Sequence, residues 1–217
     1  MSAPVIALFR RDLRLDDNPA LSAAVATGQP VLCLFVLDDE TPGAWAPGGA
    51  SRWWLHHSLA ELDRSLRACG GALILRRGVT ADVVVDVAGA TGATAFYVAR
   101  RYEPWAVDQE DAINRRLSSV GVSVHRFGGT LLSEPESIRT GQGSPFKVFT
   151  PFYRAVLKSL PPPQPLPAPT RIPALGSVLA SDDLSTWDLL PHNPDWAGGL
   201  RETWVPGAAG AQARLDA

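Results

Sequence analysis

Five short apolar runs recur through residues 1–127, at Val5 to Phe9, Val31 to Leu37, Ala72 to Leu75, Ala95 to Ala99 and Val122 to Phe127, and a helical pattern separates each from the next. A strand-length apolar run followed by a helix, repeated in this way, can hide its surface in few arrangements. The simplest is a parallel sheet with helices over both faces. The runs are nearly continuous in apolar character rather than alternating, as strands buried on both faces require. The intervening helices fall near Pro19 to Thr27, Ser51 to Cys69, Thr80 to Thr91 and Pro104 to Val120. The second is the most strongly periodic, with Leu55, Leu59, Leu62 and Leu66 on one face, Ser51 placed to cap it and Gly70 placed to stop it. The fold class predicted is α/β, a Rossmann-like doubly wound sheet of five parallel strands.

The pattern then changes. Gly128 to Lys147 reads as a polar loop, and Thr150-Pro151 opens a helix running to about Leu160. Residues 161–173 hold seven prolines, too many for a helix or a central strand, so this segment is expected to be an extended linker. Residues 174–217 carry Trp187, Trp196 and Trp204 without any long periodic segment. Such a tail packs only by wrapping on another surface. The expected division is an α/β domain over 1–160 and a Pro-rich linker with the start of a further unit over 161–217.

Composition narrows the function classes. A net charge of −2 and an isoelectric point near 6.1 exclude a basic nucleic-acid-binding surface spread over the whole chain. Cys33 and Cys69 are too few and too far apart for a disulfide framework or a zinc site, and adjacent His56 and His57 project about 100° apart on a helix and so cannot share a metal in the i, i+4 manner. No metal and no catalytic residue is predicted. No apolar run approaches membrane-spanning length and no signal-like segment opens the chain, so the expectation is a cytoplasmic protein with no membrane partner. A dinucleotide dehydrogenase is also disfavoured: the first strand-to-helix turn holds Arg10, Arg11, Asp12 and Arg14 and no glycine before Gly28, where a pyrophosphate would need bare backbone. Asn18 and Pro19 end that turn as helix cap and first helical residue.

That turn, Phe9-Arg-Arg-Asp-Leu-Arg-Leu-Asp-Asp-Asn-Pro-Ala-Leu21, resembles the opening signature of the DNA photolyase and cryptochrome family. Further stretches are similar to the family's landmarks in the same order: Gly48 to Leu55, Tyr102-Glu103-Pro104, Phe149 to Arg154 and Pro194 to Leu200. The resemblance implies strand order 3-2-1-4-5 and a light-harvesting role for this α/β domain, which in the family passes excitation to FAD held in a helical domain that follows. Because the chain stops at Ala217, it is expected to lack that domain, to carry no FAD and to repair nothing alone, with damaged DNA and the helical domain as partners of the full-length parent. The alternatives are a fragment of a cryptochrome-type blue-light photoreceptor and a stand-alone chromophore- or nucleotide-binding module. Seven tryptophans suggest electron transfer, but the family's tryptophan relay belongs to the helical domain, so Trp45, Trp53 and Trp105 are expected as core or pocket walls.

Family members hold an antenna chromophore, a deazaflavin, a folate or a flavin mononucleotide, at the carboxyl ends of the strands. Open parallel sheets place their ligand crevices there on physical grounds as well. The candidate lining is Phe35, Val36, Leu37 and Asp38 after the second strand, Arg52 at the start of the second helix, and Arg100, Arg101 and Glu103 after the fourth strand. Arg52 suits a phosphate or carboxylate tail and Glu103 a ring N–H or ribityl hydroxyl, while both residue types also stabilise helix starts. The folate-type members share an Asn-Glu pair just beyond the Tyr-Glu turn, where this chain has Trp105 and Ala106, which leaves a deazaflavin, a flavin or an empty pocket. Lys147 and Arg154 are the candidate contacts to DNA phosphates, with Arg139 a weaker one.

Overall fold

A computed structural model of the chain describes residues 2–159, 161, 164–176 and 179–217. Five strands, β1 (Val5–Phe9), β2 (Val31–Leu37), β3 (Leu73–Arg77), β4 (Ala95–Ala99) and β5 (Ser123–Phe127), form one parallel sheet in the order β3-β2-β1-β4-β5. The sheet is in register from Val5↔Val31 on one side of β1 and from Val5↔Ala95 on the other. Four helices connect the strands: α1 (Pro19–Ala26), α2 (Gly49–Ala68), α3 (Thr80–Thr91) and α4 (Pro104–Ser119). Beyond the sheet lie α5 (Phe149–Leu157), α6 (Gly198–Thr203) and α7 (Ala208–Leu215). The order expected from the family resemblance is the order found.

The pleat of β1 divides the core in two. Val5, Ala7 and Phe9 face α1 and α2, joining Leu21, Leu59, Leu62 and Leu66. Ile6 and Leu8 face the other way, joining Val84 and Val87 of α3 and Ile113 and Leu117 of α4. Successive side chains of an extended strand alternate between faces, so a buried β1 needs the unbroken apolar run that its sequence has.

Local chemistry sets the helix ends. Asn18 accepts a hydrogen bond from the Leu21 amide at 3.0 Å and donates to the carbonyls of Asp12 and Arg14, which ties the arginine-rich turn to the start of α1. Asn18→Ala is therefore expected to lower stability by about 1 to 2 kcal/mol, the usual loss for a cap, in a urea titration; an unchanged midpoint would mean that the turn holds itself. At the end of α2 the Gly71 amide donates to Leu66 and the Gly70 amide to Arg67, with Gly70 at φ +84°, a Schellman stop that few side chains could occupy without strain. Ser51 is not the cap of α2. The helix begins earlier, with Gly48 in the capping position.

The fifth strand also departs from the expectation of full burial. Its sequence, Ser-Val-His-Arg-Phe, leaves every residue exposed or half-buried, because β5 is an outer strand with a neighbour on one side only. The Pro-rich segment forms no helix or strand over its described residues. Leu160, the expected end of α5, lies outside the described residues, and the helix itself ends at Leu157. The tail packs on the sheet domain itself. Ile172 donates its amide to Cys69 and is buried to 1% exposure, Val31 donates to the Pro173 carbonyl, and Trp187 and Leu189 join the α1/α2 side of the core. Trp196 and Trp204 are half exposed. No helix among the described residues is long and apolar enough to cross a membrane.

Candidate functional site

A cleft of about 470 Å³ opens at the carboxyl ends of β1 and β2. One wall is the end of β2, Phe35 to Asp38; another is the loop from Pro42 into the first turn of α2; a third is Arg101, Trp105 and Gln109 after β4. Arg10 and Arg11, the first two residues after β1, lie between them. Trp45 and Trp105 supply indole surface to the lining.

Asp38 is the one carboxylate of the lining, and its oxygens are fully engaged. It accepts from the Thr41 amide and hydroxyl at 2.9 and 2.6 Å, from the Thr80 amide and hydroxyl at 2.8 and 2.9 Å, from the Glu40 amide at 3.1 Å and from Gln109 Nε2 at 2.9 Å. Burial pushes its pKa up, but the bonds from Thr41 and Thr80 outweigh that and hold the carboxyl below its ordinary range. Asp38 therefore fastens the end of β2 to α3 and α4. It has little acceptor capacity left for a ligand.

Arg10 is set deeper. Its side chain is 9% exposed, and Nη2 donates to Glu110 Oε1 at 2.5 Å and to the Ala99 carbonyl. Glu110, 4% exposed, also accepts from the Arg101 amide at 2.9 Å. Burial depresses the Arg10 pKa, while Glu110 acts in the opposite direction. Nε and Nη1 of Arg10 are buried without a hydrogen-bond partner among the described residues. Its positive charge is thus answered on one side only.

A chain of charges forms the rim. Arg101 stacks over the Trp105 ring at 4.5 Å and pairs with Glu103 at 2.8 Å, and Glu103 pairs in turn with Arg11 at 3.0 Å. The hydrogen bond from Arg101 is the main reason that the Glu103 carboxyl is pushed down to about 2. Its folded-state value lies below the unfolded value of about 4.3. The resulting stabilisation is complete above that unfolded value and is lost as the pH falls through the folded one. A carboxyl-carbon NMR titration should place the Glu103 midpoint at about 2 and show it rising toward the ordinary range in Arg101→Met; an ordinary midpoint in the unmodified chain would remove the rim pairing.

Of the residues singled out in the sequence, Phe35, Val36, Leu37, Asp38 and Arg101 line the cleft, and Arg52, Arg100 and Glu103 do not. Arg52 donates to Asp39 at 2.5 Å and to the Pro47 carbonyl, bracing the loop that leads into α2. Arg100 turns toward the 128–148 loop, paired with Glu134 at 2.9 Å and Glu136 at 2.8 Å. Lys147 and Arg154 are exposed, just before and within α5, and neither lines the cleft. Trp53 is a core residue at 1% exposure rather than a cleft wall. Sequence reasoning missed Gln109 and Glu110. The signal was present: they occupy positions on the face of α4 that Ala106, Ile113 and Leu117 bury, and a polar pair on a core face needs partners.

Residues 5–170 match the family described as DNA photolyase. The chain is 42% identical over 215 residues to the deoxyribodipyrimidine photo-lyase of Agrobacterium fabrum, covering 99% of this chain and 44% of that protein. It is 41% identical over 170 residues to Cryptochrome-1 of Arabidopsis thaliana, covering 77% of this chain and 25% of that protein. Among solved structures, a bacterial class III photolyase from Agrobacterium tumefaciens superposes with a TM-score of 0.92 at 41% identity, over all of this chain and 44% of that one. An archaeal photolyase from Sulfolobus tokodaii, solved with two FAD molecules, superposes with a TM-score of 0.73 at 27% identity, over 92% of this chain and 44% of its own. The chain spans less than half the length of each of these relatives.

Proposed function

The chain belongs to the DNA photolyase family, and on that premise we propose that it is the light-harvesting α/β unit of a deoxyribodipyrimidine photolyase. The observation that carries this reading is the cleft: a concave site at the carboxyl ends of a parallel sheet, within the volume range of small-molecule pockets, walled by two indoles and rimmed by arginines. Trp45, Trp105 and Leu55 offer apolar surface to a planar heterocycle, and Arg10, Arg11 and Arg101 supply donors and positive charge at its edges. A deazaflavin or flavin mononucleotide, the chromophores favoured over folate, would supply near-ultraviolet and blue absorption and pass excitation to FAD in the helical part of a full-length photolyase. The second chromophore position of the archaeal relative, solved with two FAD molecules, supports a flavin-type ligand. Asp38, Thr80 and Gln109 hold the floor in place, Arg52 holds the loop, and Glu103 orients Arg101 against Trp105. The match to a photo-lyase over 215 residues, against 170 for a cryptochrome, favours DNA repair over photoreception.

Two further roles belong to this proposal. Lys147 and Arg154 contact phosphates of the damaged strand, a pair that gives only a shallow salt dependence. Residues 1–160 form the antenna domain, and 161–217 lead toward the FAD-binding part after packing Ile172, Trp187 and Leu189 into the core of that domain. The test is reconstitution: titrating the purified chain with a deazaflavin and with flavin mononucleotide should give saturable binding to one of them, weakened by roughly 10-fold or more in Trp105→Ala as stacking area is lost. The unmodified chain should show no stoichiometric FAD and no light-dependent cleavage of pyrimidine dimers. Cleavage by the 217-residue chain alone, or failure of both chromophores to bind, would overturn the assignment.

A further inference from the structure

We infer that His57 is a pH-sensitive latch: while its ring is neutral the terminal segment, residues 196–215, stays docked along α2, and when its ring is charged the segment is released. The latch lies on the side of α2 turned away from the cleft and stands whether or not a chromophore binds there. Leu62 points from α2 into the core beneath it, and at about 100° per residue Trp53 projects to the opposite side. Trp53 is nevertheless 1% exposed. The terminal segment runs along that side. The Trp196 indole lies against Gly49, 2.9 Å from where a Cβ would stand, Trp204 meets Trp54 edge-on with ring centroids 5.8 Å apart, and the Ala208 amide donates to Glu61 at 3.3 Å. Ala197, at the head of the segment, is fully buried. His57 falls between Trp54 and Glu61 on the same helical stripe.

Docking leaves no acceptor for a second ring proton. Nε2 of His57 is buried without a hydrogen-bond partner among the described residues, as are Nδ1 of His56 and the indole nitrogen of Trp53. The rings of His56 and Trp53 stand edge-on to His57, with centroids 5.3 and 4.6 Å away. A neutral imidazole can leave one nitrogen bare, whereas an imidazolium needs a partner for both N–H groups. The facing charge also has the wrong sign. Arg201 of α6 repels a charged His57, and the acids near it are engaged elsewhere, Asp195 with Arg201 itself and Asp188 with His192. On α2 the nearby charges are Arg52, paired with Asp39, and Glu61, which accepts from Ser65 and Ala208; Arg14 and Asp16 of the turn before α1 face Glu61 across a second cavity. Burial first and Arg201 second hold the His57 pKa below its ordinary value, and burial and then His57 do the same to His56.

A docked value below the free one means that docking is complete above the ordinary histidine value of about 6.5 and weakens as the pH falls below it, by roughly 10-fold at pH 5.5 for each histidine that is charged on release. Helices as short as α6 and α7 do not persist undocked, so hydrogen exchange of the Trp204 and Ala211 amides, bonded to Leu200 and Gly207, reports release. After correction for intrinsic rates, their protection in the full chain should be at least about 10-fold lower at pH 5.5 than at pH 7.5, while the β1 amides keep theirs. His57→Phe keeps a ring against Trp53 without the charge and should abolish most of that loss. His192→Gln, which removes the other histidine of this region, should leave the loss intact. Arg201→Leu gives an arm that does not depend on the folding of His57→Phe: the NMR titration midpoint of the His57 ring should lie below about 6.5 in the parent, rise in Arg201→Leu, and be accompanied there by a smaller loss of protection. Equal protection at the two pH values, an undiminished loss in His57→Phe, its disappearance in His192→Gln, or a His57 midpoint indifferent to Arg201→Leu overturns the proposal.

Discussion

Glu110→Ala is expected to lower stability by about 3 to 5 kcal/mol, because removing one member of a buried ion pair strands the other. The carboxylate is 4% exposed and accepts both from Arg10 and from the Arg101 amide, so its loss leaves a buried guanidinium with no counter-charge and only the Ala99 carbonyl as acceptor, and the Arg101 amide with no acceptor. The site also joins three parts of the fold: β1 through Arg10, the end of β4 through Ala99 and Arg101, and α4 through Glu110 itself. Urea unfolding of the single variant and of Arg10→Met/Glu110→Leu separates the causes. The double variant, which leaves no charge stranded, should recover much of the loss. If the single change costs less than about 1 kcal/mol, the pair is worth no more than a surface pair, and the cleft floor is not held as described.

Trp187→Ala should cost a similar amount, about 3 to 5 kcal/mol, the range for emptying a buried aromatic site. Trp187 is 4% exposed, packs against Phe35 with ring centroids 6.1 Å apart and donates its indole N–H to Asp182 at 3.2 Å. Asp182 donates its own amide to the Leu75 carbonyl, and the Ser181 hydroxyl accepts from the Leu75 amide, so the same few residues strap the tail to the edge of β3. The variant should lose tail protection along with global stability. Limited proteolysis is expected to cut residues 179–197 first in Trp187→Ala and to leave them intact in the parent under matched conditions. Equal cutting in both chains would show that Ile172 and the backbone bonds hold the tail without the indole.

The sheet was legible in the sequence because its central strands must be apolar on both faces. Val5 to Phe9, Val31 to Leu37 and Ala95 to Ala99 are strands over those same residues. At the margins the same reasoning loosened. The β5 run leaves His125 and Arg126 exposed, since an outer strand needs burial on fewer sides, and β3 extends to Arg77, beyond the last apolar residue. Gly70 could be read as the stop of α2 because a left-handed stop has a chemical signature. Its start could not, because Gly48 caps without a side-chain acceptor and Ser51 looked like the better cap.

The candidate site was legible in part for a related reason. A strand's carboxyl end is fixed by topology, so Phe35 to Asp38 could be placed at the cleft from pattern alone. Long charged side chains could not, because their positions depend on partners far away in sequence. Arg52 is drawn aside by Asp39, Arg100 by Glu134 and Glu136, and Glu103 is held between Arg11 and Arg101. The buried state of Arg10 depends on Glu110, a hundred residues along the chain. The tail lacks periodicity of either kind, and its burial follows from single anchors, Ile172 and Trp187, set among prolines and polar residues.

The central claim, that the cleft at the strand ends is the chromophore site, is tested most directly by mapping a bound flavin or deazaflavin onto the indole resonances of the isotope-labelled chain. Each of the seven tryptophans gives its own signal. Trp45 and Trp105, which line the cleft, should shift on binding, while Trp53, buried in α2, should stay in place. Shifts confined to Trp196 or Trp204, or binding that leaves Trp45 and Trp105 unmoved, would contradict the account and move the site elsewhere on the molecule.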